Sequence, residues 1–354
     1  MLFRSRMVDA QKDYEQLLAG DPDDAVASFR LGVIYGGIGR LDDADSLLAG
    51  AARLGPVTVD LLNARANVAW LKSNWPLAEK FFREALVVDP QNVTVMANLG
   101  LCLHDVGSLV EAAEILQKAL ILSPAHADAL VNAALVRSDL GDVDAAFDLL
   151  QRALEKFPDF PEAHALKAQL LLRRGDYFNG WREYEWRLRC TGVPKHEDNG
   201  LQPWHGESGP VKRLLVYAEQ GLGDQIMFAS CFADAMRRVQ GCDIECDPQL
   251  MELFDRSFPQ ARIHAKTDGA ERAWARPQAG HASRIYAGSL PGLFRTGPDD
   301  FPQHNGYLTP DAAKRAVWAE QLRSLGGDFK VGIVWRGGTP RTRQAMRSMR
   351  LAQW

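Results

Sequence analysis

Pro22, Pro56, Pro90, Pro124 and Pro158 stand 34 residues apart, and this period constrains the chain more than anything else in it. Other columns keep the same phase. Ala44, Ala78, Ala112 and Ala146 lie twelve residues before the last four prolines, and Ala51, Ala85, Ala119 and Ala153 lie five before them. Gly32, Ala66, Gly100 and Ala134 fall twenty-four before, and Leu48, Phe82, Leu116 and Leu150 eight before. A period of this length means one supersecondary unit used repeatedly, each copy burying its apolar face on its neighbours. Proline stops a helix because it lacks an N–H and clashes with the preceding turn. Small residues let two antiparallel helices approach, and the large apolar residue fills the space beside them. In DPDDAVASFRLG, DPQNVTVMANLG and SPAHADALVNAA, Asp or Ser precedes the proline and an apolar-periodic helix follows.

A 34-residue helix–turn–helix unit with these columns resembles the tetratricopeptide repeat. Residues 1–190 are therefore expected to form an α-solenoid, with 8–20 a lone second helix and a degenerate unit running from Pro158 to about Cys190. In that last unit Trp181, Tyr184 and Leu188 share a helical face and read as a cap that closes the solenoid core. Stacked repeats present a long groove, suited to a polypeptide or an extended glycan acceptor rather than a lone metabolite. Asn67, Asn98 and Asn132, in near-equivalent first-helix positions, could hydrogen-bond an extended backbone there. A plain solvated face is the alternative. His104, His126 and His164 read as surface or groove residues. The D-x-D pairs Asp21/Asp23, Asp43/Asp45 and Asp142/Asp144 look like metal-binding motifs. All fall at expected helix starts, where carboxylates cap N–H groups and meet the positive end of the dipole, so no metal is expected.

Composition narrows the function classes. A net charge of −4 gives no reason to expect a nucleic-acid coat. Hydrophobic residues at 46% and charged residues at 24% fit a folded chain, and no apolar run approaches the roughly 18 residues that cross a bilayer. The start, MLFRSRMVDAQKDYEQ, turns polar too soon for a secretory signal. Five cysteines in no zinc or CxxC spacing read as a reduced, cytoplasmic protein. Cys242 and Cys246, about 13 Å apart on a straight strand at ~3.3 Å per residue, read as buried thiols rather than a redox pair.

After Cys190 the pattern changes. Residues 191–212 are rich in Gly, Pro and polar residues and read as a linker. Strand-type and helix-type segments then alternate: strands at 213–218, 243–246 and 261–265, helices at 225–239 and 249–258. This βαβαβ order makes 213–310 the first half of a doubly wound, Rossmann-like α/β domain. A helix at 312–325 and a strand at 330–335 begin a second half over 311–354. A doubly wound domain needs well over 100 residues, so the second half is expected to be incomplete here.

The turn EQGLGD carries the main chemical signal. Gly221 and Gly223 follow a strand and precede a helix, as in dinucleotide-binding turns, but Ile226 replaces the third glycine. Asp224 stands where the helix N-terminus would receive a pyrophosphate, and its charge argues against NAD or FAD. Two roles stay open for Asp224: a helix cap, or a general base at the crevice where such sheets bind ligands.

The run W-H-G-E, then LLVYAEQGLGDQIMFA, and later GIVWRGG with Arg347-Ser348 resemble tetratricopeptide-repeat proteins that carry a glycosyltransferase-like domain. These are related to the lipopolysaccharide heptosyltransferases and, more distantly, to O-linked N-acetylglucosamine transferase. The resemblance implies a two-domain GT-B fold, a nucleotide-sugar donor as substrate, and metal-independent, inverting transfer with no cofactor. It implies Asp224 as the base that deprotonates the acceptor hydroxyl, with Gly221 and Gly223 letting the acceptor come close. Arg336, Gly337 and Gly338 match the turn after strand one of the donor-binding half, and Arg347 could face a phosphate. Glu219 and Gln220 could orient an acceptor, though ordinary loop polarity explains them equally well, and His205 could reach the cleft. A non-catalytic repeat scaffold for protein interaction is the alternative reading.

Overall fold

In the computed structural model the described residues are 2–190, 200–207, 211–267, 273–275, 283–303, 306–327 and 329–333. They fall into two compact units, one running up to Ala163 and the other His164–Gly332.

The first unit is a stack of antiparallel helix pairs: α1 (Leu2–Gly20), α2 (Ala25–Gly37), α3 (Leu41–Leu54), α4 (Val59–Leu71), α5 (Trp75–Val88), α6 (Val93–Asp105), α7 (Leu109–Leu122), α8 (Ala127–Asp139) and α9 (Val143–Lys156). The columns of the sequence meet in space. A Cβ added at Gly32 would lie 2.8 Å from Leu48 Cγ, and one at Gly100 would lie 2.5 Å from Leu116 Cγ. Ala44, Ala78, Ala112 and Ala146 are fully buried, as are Ala85, Ala119 and Ala153. Replacing Ala112 by Leu is therefore expected to overpack one helix pair and cost about 1–3 kcal/mol. A urea midpoint unchanged by Ala112→Leu would refute that packing.

The repeat also fixes its own caps. Asp24, Thr58, Asn92 and His126, each 34 residues from the next, accept hydrogen bonds from backbone N–H groups at the starts of α2, α4, α6 and α8. Asp142 does the same for α9, so this D-x-D aspartate caps a helix. Between the helices of a pair, Gly39, Gly107 and Gly141 adopt φ of +85°, +87° and +90°. Ser73 holds the same place at φ +59°, a left-handed conformation that glycine enters far more readily.

Polar rungs tie α4 to α6 and α6 to α8, always 35 residues apart. Asn98 Nδ2 donates to Asn63 Oδ1 (3.0 Å), Asn132 Nδ2 to Ala97 O (3.1 Å), and Trp70 Nε1 to Asp105 Oδ2 (2.9 Å). His104 Nε2 lies 2.9 Å from Asp139 Oδ2. His104 is thus a buried rung, only 2% exposed, and not the surface residue expected from the sequence.

The second unit contains α10 (Pro161–Arg174, from His164 onward), α11 (Tyr177–Tyr184) and a 3-10 turn at Glu185–Arg189, followed by an α/β part. Its strands are β1 (Gln202–Pro203), β2 (Leu214–Tyr217), β3 (Cys242–Cys246), β4 (Ala261–Ala265) and β5 (Ser283–Tyr286). They pair in parallel in the order β1-β5-β2-β3-β4. Its helices are α12 (Leu222–Ala229), α13 (Phe232–Met236), α14 (Met251–Ser257), α15 (Pro291–Phe294) and α16 (Ala312–Ser324). Leu214, Val216 and Ile244 join Phe228, Phe232, Phe254 and Phe258 in one core, while Leu215 and Tyr217 pack with Leu201 and Ala275 on the opposite face. β2, buried on both faces of a parallel sheet, accordingly reads as the unbroken apolar run LLVY.

Four expectations change. The single helix expected over 225–239 starts earlier and is broken at Ser230, whose carbonyl is held by Arg295 Nη2 (3.1 Å) while the same nitrogen binds Asp234 Oδ2 (2.6 Å). The supposed linker contributes β1, and β5 forms between the strand at 261–265 and the helix at 312–325, where the sequence analysis gives no strand. The face of α11 that was expected to close the solenoid packs into the α/β core instead. Trp181 and Tyr184 lie against that core, and Trp181 Nε1 donates to Arg295 O (3.0 Å). Burial pushes the Cys242 and Cys246 thiols up to about 12, which leaves them protonated and unreactive. Of the expected strand at 330–335, Lys330–Ile333 are described and pair with no strand.

Candidate functional site

The chain runs outward from β2 through β3 to β4, then returns to place β5 on the other side of β2. Strand order thus reverses between β2 and β5, and in open parallel sheets the crevice for ligands opens at the carboxyl ends of the strands beside such a reversal. Tyr217 and Tyr286 end these two strands in register. The segment after β2, 218–221 and the start of α12, holds the residues singled out in the sequence, and 287–289 follow β5.

Glu219 is buried and fully engaged. Arg187 grips both its carboxylate oxygens, Nε to Oε2 at 2.9 Å and Nη2 to Oε1 at 2.7 Å, and the Gly288 N–H donates to Oε1 at 2.6 Å. Arg187 also donates to Tyr184 O, to Glu185 Oε1 and to Ser289 Oγ, and lies 4.4 Å over the Tyr184 ring. A Cβ at Gly288 would stand 2.5 Å from Glu219 Oε1, so this position has no room for a side chain. Glu219 therefore fixes the turn, with both of its oxygens already accepting hydrogen bonds from within the chain.

The rest of the turn is built on that anchor. Gln220 takes φ +59° and donates through Nε2 to Tyr184 Oη at 2.6 Å. Gly221 is the N-cap of α12, so Asp224 is its third residue, and Asp224 Oδ2 accepts from the Gly221 N–H at 3.1 Å. The Asp224 carboxylate is half-buried, with one face of the turn open. A Cβ at Gly223 would meet no atom within 4 Å, and one at Gly221 would meet only Asp224 Oδ2 at 3.6 Å. Packing within the chain thus requires glycine at neither position. Gln225 is buried behind the turn, where its Oε1 accepts from the Asp247 N–H at 2.8 Å. His205 lines a separate cleft of about 320 Å³ with Trp181, Glu185, Tyr286 and Ser289. Arg336, Gly337, Gly338 and Arg347 lie outside the described residues.

On the solenoid, the three asparagines differ. Asn98 and Asn132 are 34 residues apart and spend an amide donor on the rungs, whereas Asn67 lies one turn further along its helix. Asn67 lines a cleft of about 490 Å³ between α2 and α4 that sequence reasoning missed, bounded by Phe29, Val33, Gly37, Asp60 and Leu71. Gly36 and Gly37, side by side at the end of α2, were the available signal. Among the described residues no cluster of His, Cys, Asp or Glu could hold a metal ion, and no helix is long and apolar enough to cross a membrane.

Tetratricopeptide-repeat sequence profiles match residues 8–56, 35–93 and 63–127, and a second such profile matches 103–170. The protein FlbA of Caulobacter vibrioides is 32% identical over 197 residues, which cover 51% of this chain and 33% of FlbA. Human tetratricopeptide repeat protein 7B is 33% identical over 84 residues, or 24% of this chain and 10% of that protein. The chain thus spans a third or less of the length of these relatives. The solved structure of TTC0263, a tetratricopeptide-repeat protein of Thermus thermophilus, is 24% identical with a TM-score of 0.43, covering 47% of this chain and 90% of that one. Period, paired helices and profile matches agree: the helical N-terminal part of the chain is an α-solenoid of tetratricopeptide repeats.

Proposed function

We propose that the solenoid recruits a polypeptide or glycan acceptor and that the α/β part is the acceptor-side, Rossmann-like half of a GT-B glycosyltransferase using a nucleotide-sugar donor. One observation carries this reading: the EQGLGD turn lies beside the reversal of strand order, with the Asp224 carboxylate half-exposed upon it. A carboxylate there can accept the proton of an attacking sugar hydroxyl. The turn's two glycines, which the chain's own packing does not demand, leave room for a substrate to approach the backbone. Charge on the leaving diphosphate would be met by basic groups and helix dipoles of the second half, where Arg336, Gly337, Gly338 and Arg347 belong in this reading.

A second reading, an interaction scaffold without catalysis, is favoured by the hydrogen bond between Asp224 Oδ2 and the Gly221 N–H, which gives the carboxylate a structural task. The two readings separate in one experiment. A chain carrying both α/β halves is incubated with isotope-labelled nucleotide sugars and a partner captured on the solenoid. Transfer is expected as a mass increase of one sugar residue on the partner. Partners that are held but never gain mass, with every donor tried, would decide for the scaffold.

A further inference from the structure

The cleft between α2 and α4 has a composition that the proposed recruitment does not by itself specify. Its walls are apolar (Phe29, Val33, Val68, Leu71), and Asp60 and Asn67 stand at its rim. It is open because α2 ends on small residues. Gly37 occupies the position that carries Leu71 one repeat later and Asp105 and Asp139 in the two after that. A Cβ at Gly37 would meet no atom within 4 Å. Packing does not ask for glycine here. At about 490 Å³ the cleft falls within the roughly 300–1,000 Å³ of ordinary ligand pockets.

The repeat extends this site into a strip. The cleft positions of α4, Asp60, Ala64, Asn67 and Leu71, recur as Thr94, Asn98, Leu101 and Asp105 in α6, and as Asp128, Asn132, Leu135 and Asp139 in α8. In α2 they are Val26, Arg30, Val33 and Gly37. The strip carries four aspartates against the one arginine, in a stretch (residues 1–163) with 24 Asp and Glu against 14 Lys and Arg, a net charge of −10. A surface of one sign selects a partner of the other and repels its like.

We propose that this strip takes an extended, basic polypeptide and seats one large apolar side chain of it in the cleft over Gly37, a reading that rests on recruitment of a polypeptide by the solenoid. The apolar walls supply an anchor, Asp60 and Asp128 pair with Lys or Arg while Asp105 and Asp139, already held in the rungs, add only their charge, and the asparagine amides that remain meet the partner's backbone.

The test is selection of a displayed library of random short peptides on the intact chain, followed by fluorescence anisotropy with the recovered peptides. Peptides enriched in Lys or Arg together with Leu, Phe or Trp are expected. Gly37→Leu fills the cleft and should weaken their binding about tenfold or more without lowering the melting temperature. Asp60→Asn with Asp128→Asn should weaken it as well and flatten its salt dependence. Recovery of acidic peptides would overturn the proposed chemistry while leaving recruitment standing. Basic peptides whose binding ignored both Gly37→Leu and the paired aspartate variant would overturn the site. A library from which nothing is enriched would overturn the proposal together with recruitment of a polypeptide, leaving only a glycan acceptor for the solenoid.

Discussion

Replacing Arg187 by alanine is expected to destabilise the α/β unit by about 3–5 kcal/mol. Arg187 and Glu219 are both buried, with side chains 7% and 8% exposed. Taking two charges out of water is costly, and the arrangement holds only because each charge faces its opposite with its hydrogen bonds made. Alanine leaves the Glu219 carboxylate desolvated, with Gly288 N–H as the partner still described for it. It also strips a donor from Tyr184 O, Glu185 and Ser289. Lysine should rescue little, since an ammonium cannot reproduce the two parallel bonds of the guanidinium. Replacing both partners, Arg187→Met with Glu219→Leu, should restore much of the loss, because an apolar pair of similar volume needs no compensation. Urea unfolding of the three variants measures this. A loss below about 1 kcal/mol for Arg187→Ala would mean that the pair is hydrated and contributes like a surface ion pair.

With Asp224 as the base proposed above, Asp224→Asn should lower turnover at least about 100-fold in a chain with both α/β halves, while fold and donor binding persist. A sugar hydroxyl that attacks an activated anomeric carbon must lose its proton, and a positioned base typically contributes about 10²–10⁴-fold. The asparagine carbonyl can still accept the Gly221 N–H that Asp224 Oδ2 accepts, so the start of α12 keeps its cap. The substitution therefore removes the basicity and preserves the hydrogen bond. Steady-state kinetics beside a melting curve decides the matter. A variant with lowered stability and undiminished rate per folded molecule would make Asp224 a cap alone.

The solenoid was legible because its information is local and repeated. A column such as Gly32, Ala66, Gly100 and Ala134 states the same steric requirement four times, and the Leu48 and Leu116 contacts show what it answers. A further column, Gly39, Gly107, Gly141 and Gly175, was equally readable, with Ser73 hiding its fifth member. In the α/β part the strands β2, β3 and β4 were legible from strand-type segments alternating with helices, and most plainly where a strand is buried on both faces, as LLVY is. β5 reads SRIY, four residues with alternate burial, and gives too short a run to distinguish from a loop. β1 is two residues long and exists because β5 lies beside it. What positions the candidate site was least visible of all. Glu219 and Arg187 are 32 residues apart, on segments that look like a loop and a fraying helix end, and no periodicity links them. The face of α11 was recognised as apolar, but a helical stripe does not say which core it will enter.

That helix speaks two structural languages. Gly180 continues the small-residue column 34 residues after Ala146, and a Cβ there would lie 2.7 Å from Leu172 Cδ2 of α10. Trp181, Tyr184 and Arg187 meanwhile belong to the α/β core and its loops. Upstream, where neighbours recognise only neighbours, a gene could gain or lose whole 34-residue units and leave every remaining contact type intact. No such freedom exists at α11, whose residues answer to two partners at once. In evolution the repeat array can change its length, but this helix must be inherited with the α/β part, and any chimaera that joins a foreign solenoid here has to make its junction before α10.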